Sequence, residues 1–133
     1  MGNKHKHLDY IQAIINRMAS NSFLLKGWAV TLISALFVFS DKNANVKYII
    51  IAYIPVFVFW ILDGYFLSEE RLFIDLYKDV SRKDESQIDF SMDTREYIKN
   101  KRNTWSHSIF STTLRLFYLS LILVMLIIMV VIN

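Results

Sequence analysis

"LFYLSLILVMLIIMVVI", residues 116–132, runs for 17 residues without a charge. Read back across Arg115 to Ile109, the apolar stretch reaches 24 residues, enough to cross a bilayer core of about 30 Å. A segment of this length reads as a transmembrane helix, and it directs attention to two shorter apolar runs upstream. "GWAVTLISALFVFS" (27–40) has 14 residues without a charge, or 19 when it begins at Ser22 and Lys26 snorkels. "YIIIAYIPVFVFWIL" (48–62) has 15, and 20 when the run passes Asp63 and continues to Leu67. Each alone is short enough for a buried soluble helix. Paired across the polar "DKNANV" (41–46), they read as an antiparallel helical hairpin. Pro55 falls within the second run, where it removes one backbone hydrogen bond and predicts a kink.

The rest of the chain agrees with a helical membrane class. In 133 residues there are one Pro, three Gly and no Cys, with 54% hydrophobic residues. This is too apolar and too unbroken for a disordered chain, and it excludes disulfides and thiolate chemistry. Of the 15 Lys and Arg, only Lys42 and Lys47 flank the hairpin turn. The positive-inside rule then places the N-terminus and residues 68–108 in the cytoplasm, and the C-terminus outside a bacterial inner membrane. No cleavage site follows the first apolar run, and "MGNKHK" departs from the myristoylation pattern at Lys6. The terminal "KHKH" (4–7) is expected to fray, and no metal or other cofactor is expected.

Each span carries one charge. Counted from the outer ends at 1.5 Å per residue, Lys26, Asp63 and Arg115 fall at roughly 21, 24 and 27 Å of depth, nearly one level. Trp28 and Trp60 belong to an aromatic belt near that level, with Trp105 just beyond. An unpaired carboxylate near hydrocarbon is costly, so Asp63 is expected to pair with Lys26 or Arg115; alternatively both cations snorkel and Asp63 ends its helix. In an oligomer these charges could instead ring the inner mouth of a pore. Gly27, Thr31 and Ser34 form a small, weakly polar stripe, and Gly64 lies beside Asp63; all four are candidates for helix packing or pore lining.

Outside the spans, Leu8, Ile11, Ile15 and Met18 make an amphipathic helix. Residues 65–82 make another, with Phe66, Phe73, Tyr77 and Val80 on one side and Arg71/Asp75 as an i,i+4 pair. Two such stripes predict partners, most simply further copies of this chain. After a polar loop, Asp93 with Glu96 predicts a capped helix over 94–106. It would carry Arg95, Lys99, Lys101 and Arg102 as a basic patch facing lipid headgroups; four cations without a stacking platform are weak support for nucleic acid.

Arg102, Asn103 and His107 match the R-N-x-x-x-H signature of HEPN-type RNases. On one continuous helix Arg102 and His107 would stand roughly 140° apart, and 68–108 is too short for a full catalytic bundle. The pair is a weak catalytic candidate. No phosphate loop, H-E-x-x-H or G-x-S-x-G is present.

"NRMASNSFLLKGWAVTLISAL", "FWILDGYFLSEERLFIDLYKDV" and "FSTTLRLFYLSLIL" together resemble a family of short bacterial membrane proteins associated with antiphage defence, the RipA-like octameric membrane proteins. The plan is similar to SLATT-type two-span effectors and to the octameric pore that accompanies one class of RNA-targeting CRISPR nucleases. The third span and the small cytoplasmic part depart from SLATT. The resemblance implies an oligomeric effector that perturbs the envelope when a separate sensor detects infection, and it transfers no catalytic residue.

The expectation is therefore an all-α membrane protein with three transmembrane helices, amphipathic cytoplasmic helices and a homo-oligomeric bundle. Residues 1–133 form one membrane domain: an amphipathic helix (8–21), spans at 22–40, 47–67 and 109–132, and a cytoplasmic helical segment (68–108). The expected function is a non-enzymatic, channel-like effector. One alternative is a scaffold that docks a cytosolic defence protein through residues 64–108; the other is a HEPN-like RNase. Membrane lipids and further copies of the chain are the expected partners.

Overall fold

A computed structural model of the chain describes residues 2–39 and 50–132, so the hairpin turn 41–46 lies outside the described residues. What is described is all-helical, with four α-helices and no strand. α1 spans Gly2–Phe39, α2 Tyr53–Ser81, α3 Trp105–Ile109 and α4 Thr112–Ile132, and short 3₁₀ turns occupy Glu85–Gln87, Arg95–Lys99 and Lys101–Asn103.

α1 runs unbroken for 38 residues, roughly 57 Å, because no Pro interrupts it and Gly27 is its one interior glycine. The amphipathic stretch 8–21 and the apolar stretch from 22 onward are thus two parts of a single rod. Its first amides are satisfied from far along the chain. Asn3 and Lys4 N–H donate to Glu85 Oε1 at 2.8 and 3.2 Å, a carboxylate placed at the positive end of the helix dipole. The expectation of fraying at "KHKH" is corrected: His7 is fully buried, with Nε2 2.8 Å from the Ser91 carbonyl oxygen.

Antiparallel packing of α1 on α2 is visible at three levels. Ile33 meets Ala52 and Val56 in one core, Ser22 and Lys26 meet Asp63, and Ile11 and Ile15 meet Leu76 and Val80 in a second core. Leu8, Phe73 and Tyr77 pack around that second core. The two amphipathic stripes therefore cover each other. They do not by themselves call for another copy of the chain, as their separate reading predicted.

On α2 the buried residues Gly64, Ser68, Leu72, Leu76 and Val80 recur every fourth position. Four residues overshoot a turn by roughly 40°, so this row winds around the helix and gives different neighbours different parts of it. At one end Gly64 lies against Ile109 of α3, and at the other Leu76 and Val80 face α1. Pro55 lies three residues past a break in the helical ladder at Ala52, with helical residues on both sides of it and Ala52 itself at right-handed helical angles (φ −63°, ψ −20°). The N–H that proline lacks would have bonded the carbonyl of Ile51, so the expected interruption of the run falls beside it, and α2 is counted from Tyr53.

After Ser81 the chain returns along α2. Tyr97 hydroxyl donates to Asp79 at 2.7 Å, and Asn103 Nδ2 donates to Asp75 and to the Tyr97 carbonyl at 2.6 and 3.0 Å. Arg71 donates to the Arg102 carbonyl at 2.7 Å. Arg71 and Asp75 thus each bind the returning segment and not each other, in contrast to the expected i,i+4 pair. Phe90 adopts a left-handed backbone (φ 56°), a strained conformation for a bulky residue, with its ring against His7 and Tyr10.

The continuous helix expected over 94–106 is not formed. Asp93 accepts from Arg95 N–H, only two residues on, and also binds the Arg95 guanidinium, so the chain turns locally into 3₁₀ geometry. A fresh start follows at Thr104, whose hydroxyl accepts from His107 N–H.

α4 is the one helix among the described residues long and apolar enough to cross a membrane. Thr112–Val131 spans 20 residues at a mean hydropathy of 2.7, with 17% of it buried within the chain. Leu114, Tyr118 and Met125 form its inward face, packed with Ile33, Ala52 and Val56.

Candidate functional site

Where the apolar end of the molecule meets the polar end, α1, α2 and α4 converge on one carboxylate. Asp63 is fully buried and carries three ligands from two other helices. Lys26 Nζ lies 2.5 Å from Oδ2, Tyr118 hydroxyl donates to Oδ2 at 3.0 Å, and Ser22 hydroxyl donates to Oδ1. Lys26 also donates to Ser22 Oγ at 2.8 Å and approaches the Phe117 ring, 5.8 Å from its centroid. Ser22 and Lys26 are one helical turn apart and so present their polar ends to the same point. A buried carboxylate is tolerated when it is paired and its lone pairs are filled, and both conditions hold here.

Of the three intramembrane charges singled out in the sequence, the structure brings Lys26 and Asp63 together. Arg115 is exposed and forms no ion pair among the described residues. It precedes Tyr118 by three residues, which puts its Cα within roughly 5 Å, along α4, of the residue that touches Asp63.

Next to this cluster α3 is fastened to α2 by two reciprocal indole bonds. Trp60 Nε1 donates to the Ile109 carbonyl at 2.7 Å, and Trp105 Nε1 donates to the Ile61 carbonyl at 2.9 Å. Trp60 also stacks on Tyr118, with centroids 5.6 Å apart. Gly64 makes this approach achievable: a Cβ there would stand 2.4 Å from Ile109 Cγ1 and 3.1 Å from its Cα. The other small residues behave differently. Gly27, Thr31 and Ser34 are all exposed, and nothing lies within 4 Å of a Cβ built on Gly27.

Just outside the cluster, burial pushes the Glu70 carboxyl above the ordinary carboxylate range, with Arg71 and Lys26 opposing the rise and Asp63 adding to it. Burial lowers the Arg71 guanidinium, and the nearby Arg102 charge lowers it further.

The basic patch is less uniform than its sequence suggests. Arg95 is paired with Asp93 at 2.8 Å, and Lys99 shares a cleft with Asp75, Asp79 and Glu96. Lys101 and Arg102 are exposed on their own 3₁₀ turn. The R-N-x-x-x-H residues are split between two elements, Arg102 in that turn and His107 in α3, so the rotation expected on a single helix does not apply. Asn103, the middle letter, is buried and committed to Asp75 and the Tyr97 carbonyl. Among the described residues no three His, Asp or Glu side chains converge in a way that could hold a metal ion.

Sequence reading missed Ser22, Tyr118 and the two tryptophan bonds. The spacing of Ser22 and Lys26 was an available signal; nothing local marks Tyr118. No family model, no curated protein and no solved structure matches the chain.

Proposed function

We propose that the chain is a homo-oligomeric effector of a bacterial inner membrane that perturbs membrane integrity in an antiphage defence system. It would cross with three helices, N-terminus inside and C-terminus outside. The observation that carries the membrane part is the distribution of exposed apolar side chains. Phe23, Trp28 and Val38 on α1, Ile54, Phe57 and Ile61 on α2, and Leu116, Leu123 and Val130 on α4 all lie exposed at one end of the molecule. At the other end the large exposed apolar residues are few, Tyr10, Phe90 and Ile98 among them. Water does not favour a surface that is apolar on three helices at once, whereas lipid does.

The oligomeric part is supported by the open stripe of Gly27, Thr31 and Ser34, which a second copy could approach closely. The defence context rests on the sequence resemblance alone. The RNase alternative is less favoured because the side chain of Asn103, the middle residue of its motif, is committed to Asp75 and the Tyr97 carbonyl. Expression with a membrane-potential dye tests the reading. Depolarisation on phage challenge is expected, and polarisation that stays unchanged both at rest and under challenge would overturn it. Pull-down of a cytosolic protein through residues 64–108, with permeability unaltered, would favour the scaffold alternative.

A further inference from the structure

We infer that Arg115 and the adjacent face of α4 form a binding site for a phospholipid, with the guanidinium on the lipid phosphate and an acyl chain along the leucines below. The inference rests on the reading of α4 as a membrane span, and it goes beyond that reading by naming a ligand and its seat.

Three observations carry it. Arg115 is the one charge in α4, and it is exposed; Asp63, which Tyr118 one turn further along α4 touches, is saturated by Lys26, Ser22 and Tyr118. Among the described residues the guanidinium therefore has no anionic partner. Helical side chains tilt toward the N-terminus of their helix, and for α4 that direction leads out of the hydrocarbon toward the headgroups. Finally, Thr112, Arg115, Leu116, Leu119, Ser120 and Leu123 make one open face of α4, a shallow groove between the side chains of that single helix. Leu119 and Leu123 continue the track for roughly 12 Å below the cation, and the small Ser120 side chain leaves room along one side of it. A cation at the rim of an apolar groove complements an amphiphile with an anionic head.

A second copy of the chain fits this face less well. The apolar segments 22–39, 50–67 and 105–132 contain one carboxylate between them, Asp63, and it is fully buried. Packing any of these segments over the groove would enclose Arg115 without an acid at its own level, whereas every phospholipid brings a phosphate.

The test uses the full-length protein. Native mass spectrometry of detergent-extracted protein titrated with phosphatidylglycerol should show lipid retained by the wild type. Retention should be about fivefold weaker in Arg115→Gln, the scale of one cation at an anionic surface, and largely restored in Arg115→Lys. Ser120→Leu, which fills the track and leaves the charge, should also reduce it. Equal retention by Arg115→Gln and wild type would overturn the site. So would efficient oxidative cross-linking of Ser120→Cys to itself in membranes, since the chain has no natural cysteine and such a bond would place another copy over the groove. Alkaline carbonate extraction separates the two layers of inference. Release of the wild-type protein overturns the span and the site with it, while a carbonate-resistant Arg115→Gln that keeps its lipid overturns the site alone.

Discussion

The two ends of this molecule solve opposite surface problems with the same helices. At the polar end, residues 2–21 of α1 lie against residues 66–81 of α2, and the chain that follows returns along them. Apolar stripes are covered there, and polar groups are paired across the returning segment: Tyr97 with Asp79, Asn103 with Asp75, Arg71 with the Arg102 carbonyl. At the apolar end the relation is reversed. Ser22, Lys26 and Tyr118 turn inward onto Asp63, while leucine, isoleucine, valine and aromatic side chains cover most of the outside, with Thr31, Ser34 and Arg115 among the few exposed polar groups. The lesson is that amphipathicity has to be read separately for each end, since a stripe that demands a partner in one half is closed by its neighbour, whereas the apolar faces of the other half stay exposed on three helices.

The sharpest way to break this contrast is to remove the charge at the junction. Asp63→Ala strands Lys26 among apolar neighbours and should cost about 3–5 kcal/mol of stability, read as a large drop in the thermal midpoint by circular dichroism in detergent. Lys26→Met combined with Asp63→Leu should recover much of that loss. If the double variant is no better than the single, the pair is not the source of the cost.

Gly64→Ala comes next. Its Cβ would clash with Ile109 Cγ1 and crowd the Ile109 backbone, so about 1–3 kcal/mol should be lost, and the Trp60 and Trp105 indole bonds between α2 and α3 should loosen, read as a shift in tryptophan emission. Gly27→Ala in the same helix bundle meets open space and should be neutral, or stabilising by up to about 1 kcal/mol. Equal effects at the two glycines would contradict the packing described here.

At the polar end Asn103→Ala removes two hydrogen bonds and should cost about 1–2 kcal/mol, with faster hydrogen exchange confined to residues 82–104 and the apolar bundle unaffected. Spread of that exchange into α4 would show that the two ends unfold as one.

The smallest effect concerns Glu70. Its carboxyl titrates above its unfolded value, so the folded protein holds the proton more tightly and this residue destabilises the fold once ionised. Glu70→Gln should therefore stabilise slightly at neutral pH, and the gain should shrink as pH falls through the raised value and the native carboxyl becomes neutral. A gain that grows on acidification would reverse the assignment.

Much of this was legible in the chain of letters. The uncharged run of 116–132 announced α4, and the spacing of Leu8, Ile11 and Ile15 announced the face they bury, because both depend on residues within a few turns of one another. The partner of that face was not legible. Leu76 and Val80 are more than sixty positions away, and periodicity says which side of a helix is apolar without saying what meets it. The segment 94–106 was misread for a related reason: the Asp93–Glu96 spacing fits a helix cap, but the Asp93 carboxylate closed a shorter turn with Arg95, and Asn103 was drawn to α2 instead.

By itself the sequence determined that the chain is helical, that its last helix suits hydrocarbon, and that Lys26, Asp63 and Arg115 interrupt its apolar stretches. Tertiary structure alone decided which of those charges meet, that Ser22 and Tyr118 join them, and that Arg115 is left facing outward. The physical reason is the range of the forces. Helix propensity and hydropathy are set over a few residues, whereas the partner of a buried charge is chosen when helices distant in sequence are brought side by side.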